Sequence, residues 1–317
     1  MKVVFFGSSE FAVESLKALL KRHSVLAVFT QPDRKKGRSL TLAQTPVKDC
    51  ANLNKIDVLQ PPDVCDVKTK QKLAGFDADL FIVVSFGQIL SKEILRIPKK
   101  YAINVHFSLL PRWRGAAPIN YAIMHDDKVT GVSVIKMNEF TDRGDVILTK
   151  SIQIDQDDDG LSLSAKLSHL GAQALLEAVD LIEKDKVQFM QQDETCATKA
   201  SKLKKEDGLI DWTLSAKDIH NKVRGLLPWP CAYTYYQNKY IKILKTKLVN
   251  SNIENDREAI PGQISRVEKK EGIIVATGSG NILIQTLQSE GKRAMSAYDF
   301  VLGHHLKPGG KFGFKKT

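Results

Sequence analysis

Val3-Val4-Phe5-Phe6-Gly7 opens the chain with four apolar residues and a glycine, and this run decides the class of fold. A short, continuous apolar segment of this kind is typical of a strand buried on both faces of a parallel sheet. Apolar residues then recur at helical spacing from Phe11 to Leu20. A buried strand followed by an amphipathic helix predicts the first unit of an α/β domain.

The same alternation continues through the first half of the chain. Further strands are expected at residues 25–29, 56–59, 79–84 and 102–106, and helices at residues 45–54 and 68–74. Strands that alternate with helices predict a doubly wound, Rossmann-like parallel sheet. Two more strands, at 130–137 and 146–154, and a long helix after Asp157-Asp158-Asp159 should complete this domain, which we place at residues 1–188.

The remainder of the chain has a different pattern. Residues 189–206 are polar and rich in charge, so we expect them to link the first domain to a second one at residues 207–317. Five strand-like runs follow Pro228-Trp229-Pro230, at residues 232–236, 240–248, 262–267, 273–277 and 282–287. Short strands at this spacing predict a small barrel. A five-stranded barrel with a basic surface favours an OB-like nucleic-acid-binding domain.

Positive charge is concentrated in this last third. Of the formal net charge of +11, residues 201–317 contribute +9, from 20 Lys and Arg against 11 Asp and Glu. A basic domain is typical of proteins that bind polyanions such as nucleic acid. The alternative is an ordinary lysine-rich surface, and charge alone does not decide between the two.

The cysteines and the apolar runs indicate a cellular location. The four cysteines form no CxxC pair, which is typical of reduced thiols in a cytosolic protein and argues against zinc. The N-terminal apolar run is too short for a signal peptide, and no stretch approaches the length of a membrane span. We therefore expect a cytoplasmic protein that does not enter a membrane.

A dense group of polar residues follows the strand at 102–106. It reads Asn104-Val105-His106-Phe107-Ser108-Leu109-Leu110-Pro111-Arg112-Trp113-Arg114-Gly115. Asn104 and His106 are two residues apart, so both side chains point to one face of the strand, at the carboxyl end where open α/β sheets carry their sites. Fixed donors there would stabilise the oxyanion of an acyl transfer by roughly 2.7–4 kcal/mol each. The alternative is that both are ordinary turn residues.

A catalytic histidine needs a carboxylate partner. The loop Thr141-Asp142-Arg143-Gly144-Asp145 offers Asp142 and Asp145, and spacing alone does not choose between them. The first glycine turn, Gly7-Ser8-Ser9, lacks the pattern GxGxxG, which argues against a nicotinamide cofactor.

Several of these motifs together resemble the signature of the folate-dependent formyltransferases. They are Asn104-x-His106, Ser108-Leu109-Leu110-Pro111, Gly115 and Asp142-x-Gly144-Asp145. The resemblance extends over nearly the whole chain, through Gln31-Pro32-Asp33-Arg34, Pro46-Val47-Lys48, Ile210-Asp211-Trp212, Pro228-Trp229-Pro230 and Lys292-Arg293-Ala294-Met295-Ser296. It departs from the family at Phe107, where glycine is usual, and at Arg143, where a small hydroxyl residue is more usual.

The resemblance implies a set of roles. Asn104, His106 and Asp142 would be the catalytic trio, with Asp142 rather than Asp145 as the partner of His106. The cosubstrate would be 10-formyltetrahydrofolate, and no metal would take part. The residues implied to line its site are Ser108, Leu109, Leu110 and Pro111, with a cis bond between Leu110 and Pro111.

The resemblance also implies a tRNA substrate. The loop at residues 33–45 would contact the acceptor end, and the basic last third would bind phosphates. The expected tRNA-contacting residues are Arg34, Lys35, Lys36 and Arg38 in the loop, and Lys239, Lys242, Lys245 and Lys247 in the second domain.

The implied reaction transfers a formyl group from 10-formyltetrahydrofolate to the α-amine of methionine on initiator methionyl-tRNA, for translation initiation, and we expect a monomer. The same trio would also serve an enzyme acting on glycinamide ribonucleotide, on a sugar-nucleotide amine or on water. A non-catalytic RNA-binding protein would explain the charge but would leave the trio unexplained.

Overall fold

A computed structural model describes residues 1–36, 41–249 and 260–313, with the side chains of Lys36 and Thr41 left undescribed. The chain divides into two compact units that do not follow one another simply along the sequence. The first contains residues 1–118, 129–153 and 164–200, and the second contains residues 119–128, 154–163 and 201–317. The domain limits expected from the sequence stay a prediction.

The first 200 residues alternate strands and helices, as the apolar pattern predicts. In chain order they are β1 (Lys2–Gly7), α1 (Glu10–Leu20), β2 (Ser24–Phe29), β3 (Arg34–Lys36), β4 (Thr41–Ala43), α2 (Pro46–Leu53), β5 (Val58–Leu59), α3 (Val67–Gly75), β6 (Leu80–Val84), α4 (Lys92–Leu95), β7 (Tyr101–His106), β8 (Arg114–Gly115), α5 (Pro118–Met124), β9 (Val129–Lys136), β10 (Val146–Gln153), α6 (Gly160–Glu183) and β11 (Lys199–Ala200).

A seven-stranded sheet organises the first unit. Its strand order is β10-β9-β7-β6-β1-β2-β5. The five strands from β7 to β5 in this order run parallel, which confirms the Rossmann-like parallel sheet. β9 and β10 pair antiparallel at the β7 edge. A hydrophobic pattern carries no information on strand direction, so this part of the sheet was not predictable from it.

Local sequence signals explain where these elements begin. Thr45 caps α2 by accepting a hydrogen bond from Lys48 N, and Pro46 is at the first turn, where its missing N–H costs nothing. Within the sheet, every residue of β6 is buried. The rings of Phe6 and Phe29 stack with centroids 5.0 Å apart. These contacts fix the strands whose carboxyl ends carry the site.

The second unit contains a curled antiparallel sheet. Its remaining elements are α7 (Ala216–Gly225), β12 (Ala232–Tyr236), β13 (Lys239–Leu248), β14 (Ile264–Glu268), β15 (Gly272–Ala276), β16 (Asn281–Ser289), β17 (Met295–Ser296), α8 (Ala297–His304) and β18 (Phe312–Gly313). The strand order is β14-β15-β16-β13-β12-β18, with β17 beside β16.

The two ends of that strand order approach each other. Gln263, just before β14, forms a bridge with Lys311, just before β18. The five strands expected from the sequence correspond to β12–β16, whereas α8 and β18 were not expected. Ile241, Ile284 and Phe300 lie in the core that the sheet and its helices enclose.

Within the described ranges, no helix combines the length and the apolar character that crossing a membrane requires.

Candidate active site

Asn104 and His106 lie at the carboxyl end of β7, where the sequence predicts them. In the sheet, Asn104 is opposite Val83 of β6 and Ile135 of β9, and His106 is opposite Ser133. Because side chains alternate along a strand, Asn104 and His106 share one face and Val105 points to the other. Two polar side chains therefore project together at the sheet edge that serves as the binding edge in open α/β folds.

The imidazole of His106 is held in one orientation. The residue is 5% exposed, and its Nε2 lies 2.9 Å from the carbonyl oxygen of Trp113. A carbonyl oxygen only accepts hydrogen bonds, so Nε2 carries a proton and donates it. The other ring nitrogen, Nδ1, lies 3.6 Å from Oδ1 of Asp142.

Asp142 is fixed by its backbone as well as by its side chain. Its Oδ2 accepts a hydrogen bond of 2.8 Å from the backbone N–H of Gly115, and the side chain is 12% exposed. Its φ of 56° lies in the left-handed region, which costs a non-glycine residue about 1 kcal/mol or more and persists only where the surroundings enforce it. This carboxylate therefore contacts His106 from an enforced position.

Asp145, the alternative carboxylate partner for His106, lies where the pairing of β9 with β10 begins. Its backbone carbonyl accepts a hydrogen bond from Lys136 N at 2.9 Å. Between the two aspartates, Gly144 packs so closely that an added Cβ would lie 1.8 Å from the carbonyl oxygen of Lys136. Asp142 therefore contacts His106, whereas the backbone of Asp145 takes part in holding the end of β9.

The turn at residues 108–111 is held against β9 by a buried serine. The Oγ of Ser133 donates to the carbonyl of Ser108 at 2.8 Å and accepts from Leu110 N at 3.0 Å. The Leu110–Pro111 bond is cis, which confirms that prediction. Ser108 is fully buried and its hydroxyl donates to Arg112 O, so the surface that this turn exposes comes mainly from Leu109 and Pro111.

The two departures from the family pattern leave the trio intact. Phe107 is buried and its ring packs edge-on against Phe11, with centroids 5.9 Å apart. Arg143 directs its guanidinium to Glu194, at 4.0 Å, and to the ring of Phe140. The aromatic side chain therefore fills core space, and the added cation is paired within the same unit.

The basic loop at residues 33–45 follows β2 and ends at Thr45, which caps α2. β3 and β4 pair antiparallel within it. At its base, Lys48 Nζ forms an ion pair with Asp33 at 2.6 Å and also donates to Gln60, and the hydrogen bond from Lys48 lowers the pKa of Asp33. Arg34 donates to Gln31 Oε1, and Lys35 is exposed.

Two of the expected tRNA-contacting residues, Lys36 and Arg38, have no described side-chain contacts. Arg38 lies outside the described residues, and of Lys36 only the backbone is described.

Three lysines of β13, Lys242, Lys245 and Lys247, lie outside the core because the strand is irregular. Ile241 and Ile243 are buried, and the pairing with β16 then shifts between Ile243 and Thr246. Without that β-bulge the buried series would continue at Lys245. With it, Thr246 is buried instead, and Lys245 and Lys247 are exposed on the same side as the half-buried Lys242. Lys239 is exposed at the start of the strand.

Three contacts of the site come from a segment that the sequence indicates only as a linker. Gln192 binds backbone carbonyls of the Asp142 loop, and Thr198 binds the turn that contacts His106. Arg114 belongs to a recognised motif, but the pairing of its buried side chain with Gln192 and the exposed Glu194 is not visible in it. Bonds to backbone atoms leave no mark in residue type or spacing, so no sequence signal pointed to them.

Both halves of the chain match one family. Residues 1–179 match the family described as Formyl transferase, and residues 202–305 match its C-terminal domain, described as Formyl transferase, C-terminal domain. The chain belongs to the formyl transferase family.

Within that family, the chain is similar over nearly its full length to methionyl-tRNA formyltransferases. The one from Geobacter sulfurreducens is 41% identical over 314 residues, covering 99% of this chain and 97% of the relative. The one from Coxiella burnetii is 42% identical over 305 residues, covering 96% of each chain.

A solved structure shares the fold. It is WlaRD, a sugar 3N-formyl transferase crystallised in the presence of dTDP and 5-N-formyl-THF. It covers 92% of this chain and 99% of its own, with a TM-score of 0.67 and 20% sequence identity. At that identity the likeness concerns the fold alone.

Proposed function

We propose that this enzyme transfers the formyl group of 10-formyltetrahydrofolate to the α-amine of methionine on initiator methionyl-tRNA, for translation initiation. The observation that carries the proposal is the contact of His106 with Asp142, beside Asn104, at the binding edge of the sheet. The relatives that match the chain over its full length favour this acceptor over a sugar nucleotide.

In this proposal each residue of the trio has its own part in the reaction. Asn104 and His106 donate hydrogen bonds to the formyl oxygen as the methionine amine attacks the formyl carbon and the oxygen gains negative charge. Because Nε2 of His106 is committed to the Trp113 carbonyl, the ring donates through Nδ1 in the form that carries a proton on both nitrogens. Asp142 stands beside that atom, holds the ring and assists transfer of the amine proton through water to N10 of the folate. The bond between N10 and the formyl carbon then breaks, and tetrahydrofolate leaves.

The folate is proposed to lie against the turn at residues 108–111. Of the four residues that the resemblance implies, Leu109 and Pro111 have the partly exposed surface that a flat ring system can contact. Ser108 and Leu110 contribute by shaping the turn, since both are buried and tied to Ser133 or its neighbours. Among the described residues, no cluster of His, Cys, Asp and Glu side chains is arranged to hold a metal ion.

The tRNA is proposed to bind through two basic surfaces. The outward face of β13, with Lys242, Lys245 and Lys247, would contact phosphates, which position a nucleic acid without reading its sequence. The loop at residues 33–45 would read the acceptor end. We assign the curled sheet of the second unit to the OB-like class on its five core strands β12–β16 and its basic face.

The remaining proposals concern organisation. The catalytic domain would comprise residues 1–188 and the tRNA-binding domain residues 207–317, and the enzyme would act as a monomer in the cytoplasm. Analytical ultracentrifugation at micromolar concentration tests the monomer, and a dimer mass would refute it.

The activity test offers one formyl donor to competing acceptors. Purified enzyme is incubated with 10-formyltetrahydrofolate and, in separate reactions, initiator methionyl-tRNA, elongator methionyl-tRNA, glycinamide ribonucleotide and an amino-sugar nucleotide. We expect formyl-methionine on the initiator tRNA, and none with His106→Ala. Transfer to a sugar nucleotide or release of free formate without transfer to tRNA would overturn the proposal.

A further inference from the structure

Residues 190–200, here called the bracing segment, contact the two loops that hold His106 and Asp142. Met190 exchanges two backbone hydrogen bonds with Val146, of 2.8 and 2.9 Å. At the other end, β11 pairs with β8 in parallel, with Lys199 opposite Arg114 and Ala200 opposite Gly115. The segment is therefore built into the first unit at both ends.

Gln192 is the residue of this segment that contacts the aspartate loop. Its Nε2 donates to the carbonyl oxygen of Asp142 at 2.8 Å and to that of Gly144 at 2.7 Å. Its Oε1 accepts from Nε and Nη2 of Arg114, at 3.0 and 2.8 Å. Carbonyls only accept and a guanidinium only donates, so these partners allow one orientation of the amide.

Arg114 is itself immobilised. It is 7% exposed, and its Nη1 and Nη2 bind the two carboxylate oxygens of Glu194 at 2.9 and 2.8 Å. This paired geometry is the strong form of an arginine–carboxylate contact, and it lowers the pKa of Glu194. The guanidinium thus presents a fixed pair of donors to Gln192.

Thr198 holds the other half of the site. Its Oγ1 accepts from Trp113 N at 2.8 Å, and its backbone accepts from Arg114 N at 2.9 Å and donates to Pro111 O at 3.2 Å. The carbonyl of Trp113 receives the Nε2–H of His106, and the N–H of Gly115 binds Asp142. One segment therefore fixes the supports of both the histidine and the aspartate.

We propose that Gln192 is a positioning residue, which keeps Asp142 beside His106 by pinning the left-handed backbone of the aspartate loop, with Thr198 holding the facing turn. The inference rests on the proposed function, since it assumes that Asp142 acts on the formyl transfer through His106. Gln192 itself touches neither imidazole nor carboxylate, so its effect on catalysis is indirect.

Gln192→Glu tests this with little change of shape. The variant keeps an oxygen for Arg114 but replaces the donor amide by a second oxygen that faces two carbonyls. We expect kcat to fall about tenfold to a hundredfold, because small misplacements of catalytic groups cost this much. The KM for 10-formyltetrahydrofolate should change less than about twofold, because the turn at 108–111 is held by Ser133. The matched control, Gln191→Glu on the exposed neighbour, should leave both values unchanged.

A double-variant cycle separates positioning from general damage. If Gln192 acts through Asp142, then Gln192→Glu should lower kcat no further once Asp142→Asn is present. Additive losses would overturn the proposal, because they would mean that Gln192 supports activity by another route. The pH profile of kcat adds a second readout, and Gln192→Glu should move it in the same direction as Asp142→Asn.

Three further outcomes are decisive. Thr198→Val removes the acceptor of Trp113 N–H without changing size, and it should lower kcat through His106 even if Gln192→Glu proves too unstable to assay. If Gln192→Glu folds and keeps normal kcat while Asp142→Asn is inactive, only this inference fails. If Asp142→Asn is itself fully active, the proposed role of the trio fails instead.

Discussion

The polar side chains of His106 and Asp142 at the end of β7 are largely buried and held by hydrogen bonds, whereas those on the outward face of β13 are more exposed. At β7, His106 is 5% exposed and Asp142 12%, and each makes hydrogen bonds that fix its direction. On β13, Lys245 and Lys247 are exposed. Chemistry at one carbon atom requires donors held to a fraction of an ångström, whereas phosphates are attracted by mobile charges over several ångströms. The two regions should therefore respond very differently to substitution.

The largest effect is expected at the fixed region. Asn104→Ala and His106→Ala each remove a proposed oxyanion donor and should lower kcat for formyl transfer at least about a hundredfold. The folded state should persist, since both residues lie at the end of a strand whose core contacts come from Ile103 and Val105. Steady-state kinetics and circular dichroism measure the two properties. Activity within tenfold of wild type would contradict the proposed role of these two residues as fixed donors.

The two aspartates sharpen this first prediction. Asp142→Ala should be as damaging as the donor substitutions, whereas Asp145→Ala should retain most activity because its described backbone role survives the change. An inactive Asp145→Ala together with an active Asp142→Ala would show that Asp145, and not Asp142, is the partner of His106.

Much of the first unit was predictable because buried strands consist of continuous runs of apolar residues. The strand expected at 79–84 is β6, which begins one residue later, and the strand expected at 102–106 is β7, which begins one residue earlier. The antiparallel strands β9 and β10 were recognised as strands, but their direction was not. Short elements such as α4 and β18 were missed, because a few residues do not establish a period.

The site was predictable only as a set of residue types. Sequence reasoning located Asn104, His106 and both aspartates, and the resemblance chose between the aspartates. It did not find that Trp113 serves through its carbonyl and Gly115 through its N–H, because every residue has the first group and every residue except proline has the second. The same limit hides the contacts of the bracing segment, where the sequence indicates only a polar linker. Gln192 and Thr198 bind backbone atoms and Glu194 binds the Arg114 guanidinium, and a polar sequence looks alike whether bound or solvated.

A smaller effect is expected where the backbone itself holds the aspartate. Gly144→Ala would place a Cβ 1.8 Å from Lys136 O, so the loop must move away from β9. We expect a loss of about 1–3 kcal/mol in the free energy of unfolding and a fall in kcat of about tenfold or more. The control is Gly303→Ala in α8, where a Cβ meets nothing within 4 Å, which should be neutral or stabilising. Equal behaviour of the two variants would contradict the close packing.

Among the described residues of the basic unit, Asp126 is held by paired charges, and this cluster should behave more like the first region. Asp126 binds Lys217 at 2.6 Å and Lys128 at 2.8 Å. Burial alone would raise the pKa of Asp126, but hydrogen bonds from these two lysines outweigh it and lower the pKa to about 2. A depressed pKa stabilises the folded state above the unfolded pKa of about 4, and this stabilisation is lost as the pH falls through about 2.

Asp126→Asn should therefore lower the free energy of unfolding by about 1–2 kcal/mol at pH 7, and the difference from wild type should shrink between about pH 4 and pH 2. Urea unfolding at a series of pH values measures it. Glu271→Gln, which changes an exposed carboxylate in the turn between β14 and β15, is the control and should have little effect at any pH. A difference that stays constant down to pH 2 would contradict the ion-pair origin.

The smallest effect is expected at single lysines of β13. Lys245→Ala removes one mobile charge, so it should weaken the binding of initiator tRNA only about two- to fivefold, in the range of exposed charge contacts. It should weaken an unrelated tRNA equally, since phosphate contacts carry no sequence information. The slope of log K against log salt should become shallower by about 0.9, one released counterion.

Arg38→Ala supplies the contrast, because the loop at residues 33–45 is proposed to read the acceptor end. It should cost more for initiator tRNA than for an unrelated tRNA, at every salt concentration. Binding titrations with both tRNAs at several salt concentrations measure the two variants side by side. Losses on β13 should add when Lys242, Lys245 and Lys247 are changed together, because mobile charges act independently. A Lys245→Ala variant that discriminated between the tRNAs would place a fixed, specific contact on β13, and the contrast between the two regions would no longer hold.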